Sequence, residues 1–317
     1  MRIKCCSPMV VLFILAVTSV FLIKDVNASE SKAEIRHANE YYYLQGGYKG
    51  FHVVDIGNPV RPKIVNTIKT PGFVWDVVSA GDFAYLSESL LGLQVVDLSK
   101  PLYPVLLGSI NIPSDARSIS VIGEHAFIVD QNGLFISVDV TNPEFPVVVG
   151  SVDILNSSLG MSVTGDYIAI AAGDSGLLMV DVSNPSNPNV KWIFSNIGRV
   201  NDVEVVRNNA FIASSRGLYV VNVKDFDEPI LVGKSSWVKN ARSISVKENR
   251  AYIAAGHDGL VVVDVSNPYS PYIIDSLRFP GFYYKVKIVA DYVHVVNVNG
   301  DIKTIDISSF VGPGEVK

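Results

Sequence analysis

Cysteine is almost missing from these 317 residues: Cys5 and Cys6 are the only two, and both precede the first apolar stretch. Histidine is scarce too. Its five copies, His37, His52, His125, His257 and His294, show no metal-ligand spacing. The sequence has no His-Glu-x-x-His, no Gly-x-Ser-x-Gly and no phosphate-cradling glycine loop. Charged residues are only 18% of the chain and form no long run of one sign, with 31 acidic against 26 basic. That balance argues against a nucleic-acid backbone or an anionic membrane surface as partner. The longest apolar stretch, residues 9–23, is shorter than the roughly 20 residues that span a bilayer comfortably.

That stretch reads as a targeting segment. Arg2 and Lys4 form a basic start, and Val26-Asn27-Ala28 places small residues where a signal peptidase cuts, so cleavage is expected after Ala28. Residues 1–28 are thus a predicted signal peptide and 29–317 a single domain without an integral membrane span, an uncleaved anchor being the alternative. Export follows, to a periplasm, to the cell surface or out of the cell. Both cysteines would leave with the signal, which excludes disulfides, thiolate metal sites and cysteine catalysis in the remainder. Arg2, Lys4 and Lys24 against Asp25 leave as well, so the formal charge moves from −5 to −7.

What the chain has in quantity is one phrase. It is cleanest at residues 259–268, Gly-Leu-Val-Val-Val-Asp-Val-Ser-Asn-Pro, and variants start at Gly50, Gly92, Gly133, Gly176, Gly217 and Gly300. The acidic or amide residue that closes each apolar run is Asp55, Asp97, Asp139, Asp181, Asn222, Asp264 or Asp306, at spacings of 42, 42, 42, 41, 42 and 42. A period near 42 with all-β character predicts propeller blades.

Residues 241–277 serve as the template. Residues 241–246 alternate apolar and polar, 251–255 form a second strand, and 256–259 make a glycine-bounded turn. Residues 260–265 are a β-branched run suited to burial on both faces, and 272–277 follow a proline-rich turn. These are strands A to D, from the hub outward. Seven B and seven C strands are evident but only six A and six D, so residues 29–38 and 309–317 are candidates for the missing inner and outer strands. Alternatively, the N-terminal segment adds onto the last blade. Phe135-Ile-Ser-Val138 runs one residue long before its Asp, and a bulge there is one way to absorb it. The prediction is an all-β, seven-bladed β-propeller of four-stranded repeats.

The phrases Gly-Leu-Gln-Val-Val-Asp-Leu, Gly-Leu-Leu-Met-Val-Asp-Val and Gly-Leu-Val-Val-Val-Asp-Val resemble the LVIVD repeat family. The resemblance covers nearly all of residues 29–317 and implies an exported or surface β-propeller of bacteria or archaea. It implies no catalytic residue, because the family motif is the blade signature itself.

Seven acidic or amide residues spread around a ring cannot converge on one substrate. Asp55 and its counterparts are therefore read as turn residues whose side chains accept backbone N–H groups. Variation concentrates at the start of strand A, where repeat alignment forms a ring at the channel mouth: Trp75, Arg117, Leu159, Asn201, Arg242 and Tyr284. The next layer holds Asp76, Ser118, Gly160, Asp202, Ser243 and Lys285. Trp75, Asp76, Arg117, Asn201, Asp202, Arg242, Tyr284 and Lys285 are the candidate ligand-binding residues. The ring suits a carboxylate, a sugar or a peptide terminus. A bland reading pairs Arg117 with Asp76 and Arg242 with Asp202. The B–C turns add Tyr48-Lys49, Glu88, Asp130, Asp174, Arg216, His257-Asp258 and Asn299, too sparse in oxygen donors for calcium loops. Aromatics of the D-to-A crossings, Phe73, Trp75, Trp237, Phe279, Phe282, Tyr283 and Tyr284, are either a protein-binding patch or packing between blades.

No catalytic residue, cofactor or metal is assigned. The expected function is a non-catalytic binding scaffold at the cell envelope, its partner an envelope or extracellular protein or a glycan. The alternative is a propeller-fold hydrolase or lyase that uses Asp76 and Asp202 in the funnel.

Overall fold

The computed structural model describes residues 41–58, 60–89, 91–154, 158–297 and 302–310. The predicted signal peptide 1–28, the segment 29–38, Asn299, Gly300 and residues 311–317 lie outside the described residues. What is described is a seven-bladed β-propeller. Seven antiparallel sheets follow one another along the chain, five of four strands and two of three. Each four-stranded sheet is a simple meander in the order A-B-C-D. The first sheet has B, C and D (Tyr41–Gln45, Phe51–Asp55, Lys63–Ile68), and the last has A, B and C (Tyr283–Val289, Tyr292–Asn297, Ile302–Asp306). After the last C strand the chain turns through a 3-10 segment, Ile307–Ser309, capped by Asp306. Phe310 then enters the core 6.0 Å from Tyr252. Ser309 therefore belongs to a turn, not to the outer strand expected over 309–317.

Blades 1–3 form one compact unit and blades 4–7 another. Within each unit the core lies between neighbouring sheets. The B and C strands supply it because their β-branched runs are covered on both faces, as in Leu260–Asp264. Strand D carries exposed and half-buried residues, as in Lys63–Ile68 and Tyr272–Leu277, and forms the rim. In all six blades with a D strand the C–D register shifts at an equivalent place, between Val53 and Val54, Val95 and Val96, and so on to Val262 and Val263, and blade 2 has a second shift between Gly92 and Leu93. At the equivalent place the extra residue is on strand D, so each outer edge is bent and a poor template for another strand. The long phrase of blade 3 has a different cause. Strands His125–Asp130 and Leu134–Asp139 pair without a slip, and Asp139 faces His125 at the same separation as Asp264 faces Arg250, so the hairpin has no extra residue and Gly133 simply stands one position earlier in the turn. There Asp130 accepts the N–H groups of Asn132 and Leu134, both at 2.9 Å.

A recurring clasp joins blade to blade. The turn glycines Gly47, Gly173 and Gly256 each form a backbone bridge to the start of the next strand A, at Val74, Val200 and Tyr283. The residue after each glycine touches the residue just before that bridge. Tyr48 meets Phe73 edge-on at 4.9 Å, His257 meets Phe282 edge-on at 5.1 Å, and Arg199 pairs with Asp174 at 2.8 Å. Phe73 and Phe282 also cover the glycines, where an added Cβ would lie 2.8 and 2.9 Å from the ring. These two crossing aromatics pack between blades. Trp237, another crossing residue, is 84% exposed.

Candidate functional site

The seven repeated turn residues share one geometry. The Oδ1 atoms of Asp55, Asp97, Asp139, Asp181, Asn222, Asp264 and Asp306 accept the backbone N–H two residues on, at 2.7–3.1 Å. That bond closes the turn after strand C, and an amide serves as well as a carboxylate. Asp264→Asn is therefore expected to leave stability nearly unchanged. Asp264→Ala should cost about 1 kcal/mol, the usual value of one such bond, measured by urea unfolding.

The first-layer residues sit on bulges. Strand A of blades 2, 3, 5 and 7 slips register against strand B between Val74 and Asp76, Ala116 and Ser118, Val200 and Asp202, and Tyr283 and Lys285. The residues left over are Trp75, Arg117, Asn201 and Tyr284. The bulge recurs in these four blades while its occupant varies, and a bulge turns a side chain out of the regular alternation. Trp75, Arg117, Asn201, Arg242 and Tyr284 are all part-exposed.

The second layer faces inward and is tied down. Asp76 accepts from its neighbour Val77 N–H at 2.9 Å and from Ile119 N–H of blade 3 at 3.3 Å. Asp202 repeats this with Val203 at 3.0 Å and Ile244 of blade 6 at 3.2 Å, adding Ser243 Oγ at 2.7 Å. Lys285 Nζ of blade 7 lies 3.7 Å from the same Asp202 oxygen. The carboxylates thus bond the backbone of the following blade. Gly160 leaves room for this, since a Cβ there would stand 2.6 Å from Asp202 Oδ1.

The arginines do not take the partners assigned to them from the sequence. Arg117 lies with its guanidinium carbon 3.6 Å from the Trp75 ring centre, donates to Gln131 Oε1 at 2.9 Å and sits 3.6 Å from Asp115. Arg242 stands 5.3 Å over the Phe282 ring. The pairing of Arg117 with Asp76 and of Arg242 with Asp202 fails for a shared reason. The carboxylates of the inner layer are already held by backbone donors, and at Arg117 a bulge also turns the side chain away from them. Asn201 donates to Ala241 O at 2.7 Å, so this first-layer side chain also spans two blades.

Two residues further along strand A lies a tier that sequence reasoning passed over. Glu204 accepts Val246 N–H at 2.8 Å and is faced by Lys287, Asp202 and Ser245. The protein mass around its carboxyl pushes its pKa up to about 7, against the pull of Lys287 and of its hydrogen bonds, although part of the residue touches solvent. The available signal was the period of two, which puts Glu204 beneath Asp202 and Lys287 beneath Lys285.

His52 and His294 are buried in strands, with Nδ1 against Thr67 Oγ1 at 2.7 Å and Thr304 Oγ1 at 3.0 Å. Burial lowers both pKa values, that of His294 to about 4. Among the described residues no group of three or more His, Cys, Asp or Glu is placed to hold a metal ion. Among them, too, no helix is long and apolar enough to cross a membrane. Two surface depressions lie at the far ends of the blades, by the A–B and C–D turns. One is lined by Tyr167, Asn222, Asp225 and Phe226, the other by Tyr41, Asn66, Leu102 and Tyr103.

The architecture and the bulged inner strands define a repeat β-propeller. The LVIVD repeat family matches residues 38–70, 71–112, 113–154, 157–195, 197–235 and 239–278, and the chain belongs to that family. The seventh copy, after residue 278, is not among the matched segments. No curated protein matches the chain. Solved structures share the fold at low identity. The chain is similar to the computationally designed Ika8 protein, with TM-score 0.67 and 9% identity over 86% of this chain and 82% of that one. It is similar to Sqt1 of Saccharomyces cerevisiae, with TM-score 0.68 and 11% identity over 87% and 82%. A chain of the mitotic checkpoint complex gives TM-score 0.70 and 10% identity over 91% and 98%.

Proposed function

We propose that this LVIVD-repeat propeller is a non-catalytic binding scaffold at the cell envelope, which recognises its partner through the first-layer residues of its inner strands. The observation that carries the reading is the repeated bulge with a changing occupant. A fixed backbone device that presents Trp75, Arg117, Asn201 or Tyr284 is how a rigid scaffold varies its recognition surface. The basic start and apolar stretch of residues 2–23 support export. The hydrolase or lyase reading has less support, because Asp76 and Asp202 each commit both carboxylate oxygens to hydrogen bonds.

The test is affinity capture from envelope and medium fractions, with wild type beside the double variant Arg117→Ala, Arg242→Ala. The expected result is a partner retained by wild type and lost by the variant. A partner retained equally by both would move recognition off these residues, and no retained partner at all would remove the scaffold reading.

A further inference from the structure

Blades 1, 2 and 3 contribute neighbouring side chains to one continuous strip. Tyr48 stands edge-on to Phe73, Phe73 lies 4.3 Å from Trp75, and the Arg117 guanidinium carbon lies over Trp75 at 3.6 Å from the ring centre. Beyond Arg117 come Asp115 and Gln131, both in contact with its guanidinium. Tyr48 is 86% exposed, and Gln131 is exposed as well.

We infer that this strip binds a neutral oligosaccharide, whose sugar rings lie on the aromatic row and whose hydroxyls bond to the group Asp115, Arg117 and Gln131. The inference rests on the reading of the protein as a binding scaffold and names the ligand class for one part of it. Its first support is donor and acceptor chemistry. A sugar hydroxyl both donates and accepts, and the three polar residues offer a carboxylate acceptor, a guanidinium donor and an amide that does both. The aromatic row beside them presents apolar ring surface to the C–H face of a pyranose.

Charge is the second support. Arg117 is already faced by Asp115 and stacked on Trp75, so an anion gains little by approaching it. A neutral ligand leaves that pairing intact. The third concerns peptides. Recognition of an extended peptide by strand addition uses a regular sheet edge, and here both edge strands of a sheet, A at Trp75 and Arg117 and D at its register shift, are bulged and poor templates. The strip presents side chains of these bulges and of the neighbouring turns.

The strip is also held in place before any ligand arrives. Val74 N–H donates to Gly47 O at 3.2 Å, Phe73 N–H to Ser89 Oγ at 2.9 Å and Gln131 N–H to Asp115 O at 2.8 Å. A pre-ordered surface loses little entropy on binding, which matters for ligands that bury little apolar area.

The experiment uses the exported protein on an array of neutral and acidic oligosaccharides, with hits measured by titration calorimetry. Tyr48→Ala and Gln131→Ala change exposed side chains and keep the fold, and Trp237→Ala, an exposed aromatic that is not part of the strip, is the control. The expected result is binding to neutral oligosaccharides, weakened at least tenfold by Tyr48→Ala and by Gln131→Ala and unchanged by Trp237→Ala. Binding to acidic glycans alone, or neutral-glycan binding that survives both variants, overturns the inference. If no glycan binds but a captured protein is lost on Tyr48→Ala, the scaffold reading stands and the glycan inference falls. If neither glycan nor protein is retained, both fall.

Discussion

Gly259→Ala is expected to lower the free energy of unfolding by about 4 kcal/mol, while Gly81→Ala costs about 1 kcal/mol. Both glycines have positive φ, +78° at Gly259 and +57° at Gly81. Both substitutions therefore pay the left-handed penalty of roughly 1–2 kcal/mol. They differ in what a methyl group would meet. At Gly81 nothing lies within 4 Å, whereas at Gly259 the Cβ would stand 2.2 Å from the carbonyl oxygen of Leu277. That oxygen is backbone of strand D, paired to Leu260 in the C–D ladder, so relief requires the ladder to move. Gly50, Gly92, Gly176 and Gly217 repeat the arrangement against Ile68, Ile110, Phe194 and Ser235. Urea unfolding of the two variants checks the prediction. Equal losses would mean that φ alone, and not the close approach, keeps glycine at the head of strand C.

The second large effect is hidden in the wild type. Glu204 has its folded-state pKa raised to about 7, so between about pH 4.5 and 7 the native protein holds a proton that the unfolded chain has released. Its contribution is present at low pH and is lost as pH rises through that window, by up to about 3 kcal/mol. His294 acts in the opposite sense. Its folded-state pKa is lowered to about 4, so the unfolded chain binds the extra proton, and stability is lost as pH falls from about 6.5 to 4, by a similar amount. Burial lowers His52 and raises Glu88, which add to each side. Over roughly pH 4.5–6.5 the Glu204 and His294 slopes oppose each other. Glu204→Gln should uncover a stability that climbs with pH across this range. His294→Gln should uncover one that falls. Denaturant midpoints from pH 4 to 8 for the three proteins measure both slopes, and parallel curves would show that neither group is shifted.

Much of the fold was legible because a propeller repeats locally. The period near 42, the glycine heading strand C and the alternation of strand A each depend on residues close in the chain. The count of seven B, seven C, six A and six D strands matches what the structure describes. The lateral relations were hidden. Nothing within one repeat says that Asp202 will bond Ile244 of the next blade, or that Tyr48 will meet Phe73 across a junction. The bulge under Trp75 and Arg117 was missed for a similar reason. An extra residue at the start of strand A, present in blades 2, 3, 5 and 7, leaves the spacing of the repeated phrase unchanged. Without the bulge, Arg117 and Asp76 looked like adjacent side chains free to pair. With it they point to different places, and Arg117 stacks on Trp75.

The clasp between blades has a direction. Gly47 and Tyr48 receive the strand that follows them, as do Gly256 with His257 and Gly173 with Asp174, and the inward carboxylates of Asp76 and Asp202 likewise reach forward to the next copy. A blade of this kind carries a socket at its turn and a plug at its leading edge. Duplication of one unit in the gene would therefore repeat the backbone bridge at the new joint, while the side chains that meet there, different at each of the three joints, would still have to be matched.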